Sequence, residues 1–329
     1  MIKFFSTGYL SRYLLLTLFM LLLWIPSFLY PTAYSGISSY AFNLFSNITN
    51  QNLFLQTSIS FVLTMLTALI LNKVAIDNGF SSMVSTLVAF LYIILTSTIT
   101  GESHNNPVIW INFILVFVLS NLLRLPYVNN TIPIVFNASF LLGIASLFYS
   151  QLIFLILFIW LAIIIHRVVS LRNIVVTIIG ILLPYIFILT WFFFTNQLLE
   201  NSFVLFDSLQ IDIAPVFLNN TIDIIISFIF VCLIIISAFG IVGTLHVKNI
   251  NLRKNLIITL FYIGVTFVIL IIFSKSITST ILLSIPSVLI MGYWFSNISK
   301  VKWYNFILTV VVFLIFINQY IFLILDVIK

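Results

Sequence analysis

Charge is what this chain lacks most. Only 6% of its 329 residues are Asp, Glu, Lys or Arg, against about 25% in soluble domains. With 63% hydrophobic residues and a mean hydropathy of +1.29, a soluble fold is excluded. Cysteine is reduced to one residue, Cys232, inside an apolar run. That rules out a disulfide framework and any CxxC chemistry, and Cys232 reads as a small buried hydrophobe. There are three histidines, His104, His166 and His246. Divided across a bilayer they cannot converge on a metal, which argues against a histidine metal centre. Glycine-rich phosphate loops and dinucleotide fingerprints are missing, so nothing here binds a nucleotide by a known fingerprint.

What the chain has is apolar length. A helix needs about 20 apolar residues to cross the hydrocarbon layer. The runs between polar breaks are 13–30, 53–72, 80–99, 108–123, 133–148, 151–166, 174–195, 221–243, 255–273, 277–295 and 304–325. They predict an all-α integral membrane protein with about eleven transmembrane helices in a single polytopic domain, 1–329. The pair 133–148 and 151–166 is short, with only Tyr149 to Gln151 between, and reads as two thin spans or one re-entrant hairpin. The first run follows Lys3 and Arg12 but lacks a small-x-small cleavage site, so it reads as an uncleaved span.

The thirteen basic residues are distributed unevenly. With the N-terminus taken as cytoplasmic, Lys3, Arg12, Lys73, Arg124, Arg167, Arg172, Lys248, Arg253, Lys254, Lys300 and Lys302 fall on the cytoplasmic side. Lys275 and Lys329 fall outside, with Glu102, Glu200, Asp207, Asp212, Asp223 and Asp326. This is the positive-inside pattern, and it predicts N-in and C-out. His166 and His246 then sit at the cytoplasmic interface. The pI of about 9.4 therefore reflects topology and not a nucleic-acid partner.

Reactive groups are confined to the outer connections. The stretch TSTITGESHNNPVIWIN, 96–112, holds Glu102 and His104. A sheltered carboxylate there can serve as general base or hold a divalent cation, and His104 can assist it. The plainer reading is that both solvate a tight loop. Segment 196–220 carries Asp207 and Asp212, candidates for a cation or for sugar hydroxyls, or simply solvated acids on an interfacial helix. Lys275 is the single outer cation within the bundle. No ionisable residue lies mid-span, which argues against a proton-coupled carrier. Pro184 and Pro286 are candidate kinks. Asn137, Asn318 and Gln319 read as interhelical hydrogen-bonding residues.

Two stretches together resemble the C-type glycosyltransferase superfamily of polytopic enzymes. In VAFLYIILTSTITGESHNNPVIWINFILVFVLSNLLRLP, 88–126, Glu102 stands at the outer acidic position and Arg124 at the inner basic end. In NASFLLGIASLFYSQLIFLILFIWLAIIIHR, 137–167, Gly143 and Ala145 are the small positions and His166 and Arg167 the closing ones. That superfamily places its catalytic acid in the first outer loop, whereas 31–52 holds neither Asp nor Glu. The resemblance thus implies a shared scaffold whose base is lost or relocated to Glu102. The substrate it implies is a polyprenyl-phosphate sugar handled at the periplasmic face of the bacterial inner membrane. The whole chain is also similar to a family of multi-pass inner-membrane proteins of Bacteroidota-type bacteria, which implies a host and no activity. A transporter or lipid flippase, and a non-catalytic scaffold of an envelope complex, are the rival expectations.

Overall fold

The computed structural model describes residues 5, 10–32, 34, 40–82, 85–98, 106–196, 221–273, 277–298 and 301–328, without the side chains at 10, 40, 277–279, 301 and 321–328. Among the described residues there are helices and no strands. The α-helices are α1 (Leu10–Leu29), α2 (Tyr40–Ile48), α3 (Leu53–Asp77), α4 (Leu87–Thr96), α5 (Pro107–Leu123), α6 (Ile132–Phe148), α7 (Ile156–His166), α8 (Leu171–Phe194), α9 (Thr221–Thr244), α10 (Ile250–Phe273), α11 (Ser284–Asn297) and α12 (Val301–Ile328). Eight helical stretches are long and apolar enough to cross a membrane, and three apolar ones are shorter. This is the build of a multi-pass membrane protein.

Helix ends follow local chemistry. Asn52 accepts from the Leu55 amide before α3, and Ser170 accepts from the Asn173 amide before α8. Asn106 accepts from the Val108 amide at 2.9 Å, with Pro107 as the first residue of α5, where a missing N–H costs nothing. Within the helices, Thr57, Thr64, Thr67 and Thr177 return their hydroxyls to the carbonyl four residues back. A polar side chain in an apolar setting satisfies itself this way.

Among the described residues of the run 80–99, only α4 is helical. Gly79 has φ +74, a left-handed turn that ends α3, and the serines after it do not resume a helix. Ten residues rise about 15 Å, too little to cross a bilayer unaided. From Leu87 to Ile94 every α4 side chain is 0–1% exposed. A helix apolar on all sides belongs inside a protein, and α4 is the central post of the bundle.

Between the expected spans the structure adds α2, inside a stretch read from sequence as a loop. Its Phe45 packs on Trp110 of α5 with centroids 4.5 Å apart. The short pair is resolved as α6, a 3₁₀ segment (Ser150–Leu155) and α7. Pairings fix its course. Asn173 Nδ2 donates to Thr131 Oγ1 at 3.1 Å, and Tyr185 Oη donates to Ser146 Oγ at 2.9 Å. Helices α6 and α8 are therefore parallel and start level, and α7, which joins them in sequence, returns against α10. Their backbones come close because Gly143 faces the Ile181 carbonyl and Gly180 faces Ser139.

Pro184 lies within an unbroken α8, and Pro286 occupies the first turn of α11, so neither breaks a span. Cys232 is half-buried. Asn137 is exposed on α6 and makes no interhelical bond of the expected kind, whereas Asn318 and Gln319 both do.

Cross-links define the two ends of the bundle. Asn255 Nδ2 donates to Asn78 Oδ1, joining the start of α10 to the end of α3. The Thr86 amide donates to the Phe5 carbonyl at 2.7 Å, joining the chain's first residues to the start of α4. This end carries Arg12, Lys73, Arg124, Arg167, Arg172, Lys248, Arg253, Lys254 and Lys302, and is called the basic end. Large apolar side chains such as Phe187, Phe194, Phe228 and Phe239 cover the flanks, each more than 60% exposed. The molecule is apolar outside and hydrogen-bonded within, as a bilayer requires.

Candidate functional site

Two polar clusters interrupt the apolar interior toward the end opposite the basic one. The first centres on Asn112, in the second turn of α5 and fully buried. Its Nδ2 donates to the Ile281 carbonyl and to Ser284 Oγ, both at 3.1 Å, and lies 3.4 Å from Tyr92 Oη. Thr67 of α3 also hydrogen-bonds Tyr92. One amide thus ties α4, α5 and the 3₁₀ segment Ile277–Leu283 that leads into α11. Tyr262 of α10 stands beside this group, its ring stacked on Phe158 with centroids 4.4 Å apart. Asn112 Oδ1 and Tyr262 Oη are buried and unpartnered.

The second cluster sits where α4 ends. Gln319 Nε2 donates to the Ser97 carbonyl at 2.8 Å, and Asn318 Nδ2 donates to Asp223 Oδ1. Ser97, Asn318 and Gln319 are buried, and Asp223 is half-buried. Ser97 Oγ and Gln319 Oε1 are buried without a partner. Both clusters are made of amides, hydroxyls and one carboxylate. Such groups can bind sugar hydroxyls or a hard cation, and none of them is a ready nucleophile.

Glu102, His104, Asp207, Asp212 and Lys275 all lie outside the described residues. Their flanks are described. Thr98 and Asn106 bound the segment with Glu102 and His104, Asn196 and Thr221 bound the segment with Asp207 and Asp212, and Phe273 and Ile277 bound the one with Lys275. All six flanking residues lie at the end opposite the basic one; Thr98 and Thr221 adjoin the second cluster, and Asn106 and Ile277 lead into the first. Among the described residues no three His, Cys, Asp or Glu side chains gather as a metal centre.

The basic end has two open clefts. One, of about 880 Å³, is lined by Asp77, Asn78, Tyr127, Lys248, Asn249 and Asn251. The other, of about 560 Å³, lies between Asn129–Ile132 and Ser170–Asn173. His166, closing α7 there, is 5% exposed, with the Leu122 backbone and Lys254 as its polar neighbours.

Sequence reasoning saw Asn318 and Gln319 and missed Asn112, Tyr92, Ser284 and Ser97. A lone Asn in VIWINFILVF is the only signal Asn112 gives, and it names no partner. No family model matches the chain, and neither a curated protein nor a solved structure matches it.

Proposed function

We propose that the chain is an inner-membrane protein that receives the sugar headgroup of a polyprenyl-phosphate lipid at its periplasmic end. The observation that carries the reading is the Asn112–Tyr92–Ser284 cluster: uncharged, buried, and set toward the end from which the Glu102 segment leaves the bundle. Neutral amides and hydroxyls suit sugar hydroxyls without the desolvation cost of buried charge. The basic end then faces the cytoplasm, N-in and C-out over eleven crossings, in keeping with the parallel α6 and α8 and the return of α7, which joins them in sequence. On a C-type glycosyltransferase-like scaffold, Glu102 serves as the base that takes the acceptor's proton, and His104 assists. Asp207 and Asp212 hold hydroxyls or a divalent cation, and Lys275 meets the lipid phosphate. Exchange of Glu102→Gln removes the base while keeping the shape. The expected result is a fall in transfer of at least about a hundredfold, with unchanged membrane abundance. Envelope glycan and lipid profiles identical to wild type would remove the enzymatic claim.

A carrier is the second reading, favoured by one feature: the crossing through α4 is only ten residues of helix and is enclosed by protein, as interrupted helices are at transporter sites. Transbilayer movement of a labelled lipid-linked sugar in proteoliposomes, persisting in the Glu102→Gln protein, is the outcome that selects it.

A further inference from the structure

Asp77 and Lys248 bring opposite charges into one cleft and do not pair. Both line the open cleft of about 880 Å³ at the basic end, Asp77 from the end of α3 and Lys248 from just before α10. Among the described residues neither forms an ion pair. Lys248 instead lies over the ring of the buried Tyr293, with Nζ 5.7 Å from the centroid, which steadies the ammonium. Of the described cations at this end, it alone lines the cleft. The two helices repeat the polarity. They are joined by the bond from Asn255 to Asn78, so the C-terminus of α3 adjoins the N-terminus of α10. One presents the negative end of its peptide dipoles and the other the positive end. No acid in the first turn of α10 offsets this. Asn249 and Asn251 line the same cleft and are exposed, adding amide donors on the α10 side.

We propose that this cleft binds the headgroup of one zwitterionic phospholipid, carrying a phosphate and a primary ammonium. The phosphate lies on the α10 side, against Lys248 and the first amides of the helix, which have no partner within it. The ammonium, two carbons away, lies on the α3 side, where its N–H donors meet the Asp77 carboxylate. The cleft opens where membrane spans end, at the depth of headgroups, as lipid pockets between helices do. Tyr127 and Ile250 line it with exposed apolar surface suited to the glycerol and the first carbons of the chains. An anionic phospholipid gains Lys248 but brings no cation to Asp77, and a quaternary amine has no N–H to donate. The inference goes beyond the lipid-sugar reading, since it concerns the opposite end of the bundle and holds whatever the outer site does.

The test uses the full-length protein, purified in detergent, stripped of lipid and followed by native mass spectrometry. It is titrated with phosphatidylethanolamine, phosphatidylcholine or phosphatidylglycerol bearing the same chains. Expected is one phosphatidylethanolamine per chain, with the other two held about threefold or more weakly. Asp77→Asn should erase the preference over phosphatidylglycerol. Lys248→Gln should weaken all three lipids, and Lys248→Arg should restore them. Arg172→Gln, in the other cleft of the basic end, should bind like wild type. Glycerophosphoethanolamine, the headgroup without chains, should not displace the lipid at equal concentration. Phosphatidylcholine or phosphatidylglycerol bound as tightly as phosphatidylethanolamine overturns the inference, as does wild-type selectivity in Asp77→Asn or equal weakening in Arg172→Gln. Displacement by the soluble headgroup overturns the assignment to a lipid. Asp77 is exposed, so its exchange leaves the fold intact and decides the matter should Lys248→Gln fail to fold.

Discussion

Gln319 on the last helix donates its amide to the carbonyl oxygen of Ser97, 222 positions earlier, at 2.8 Å. One turn-adjacent residue away, Asn318 reaches Asp223 of α9, and Tyr320 Oη reaches the Leu22 carbonyl of α1 at 2.9 Å. Three successive side chains therefore fasten α12 to α4, α9 and α1.

Replacing Gln319 by Leu keeps the volume and removes the bond, leaving the Ser97 carbonyl buried without its donor. The expected loss is about 1–2 kcal/mol, the range for an interhelical hydrogen bond in a membrane protein or a buried orphan acceptor. Thermal unfolding in detergent measures it. A midpoint equal to that of wild type means the bond contributes nothing.

Gly180 lets α8 approach α6, and a Cβ there would overlap Ser139. Gly180→Ala should destabilise by about 1–3 kcal/mol, the cost of overpacking. Gly243, near the end of α9, has open space where its Cβ would be, so Gly243→Ala should be neutral or slightly stabilising. Comparable melting of the two variants would show that the α6–α8 approach is not tight.

Orientation is accessible to labelling. In a Cys232→Ala background, cysteines placed at Asn130 and Asn251, in the clefts of the basic end, should react with an impermeant maleimide only after the cytoplasmic face is opened. Cysteine at position 102 should react in intact cells. The reverse pattern inverts the topology and displaces the proposed sugar site to the cytosol.

The apolar runs were legible because lipid and core both demand them; each of the eleven runs meets a helical element. Length misled where burial and spanning diverge. The segment 80–99 is apolar because α4 is enclosed by protein, and hydropathy cannot tell a protein interior from lipid. Helix α2 escaped notice because its nine residues pack against Trp110 by tertiary contact, which a local pattern does not carry. The clustering of cations was legible, since each Lys and Arg among the described residues lies at the basic end. Asn112 was not, because what matters is its three partners, and two of them come 169 and 172 positions later.

The fastening of α12 has a consequence for biogenesis. Until that helix is synthesised and inserted, the Ser97 and Leu22 carbonyls lack the donors it brings, and Asp223 lacks Asn318. In hydrocarbon such groups are costly. The growing chain thus carries exposed polar atoms until α12 arrives, a mark by which membrane proteases can tell a molecule without that helix from one in which it has docked.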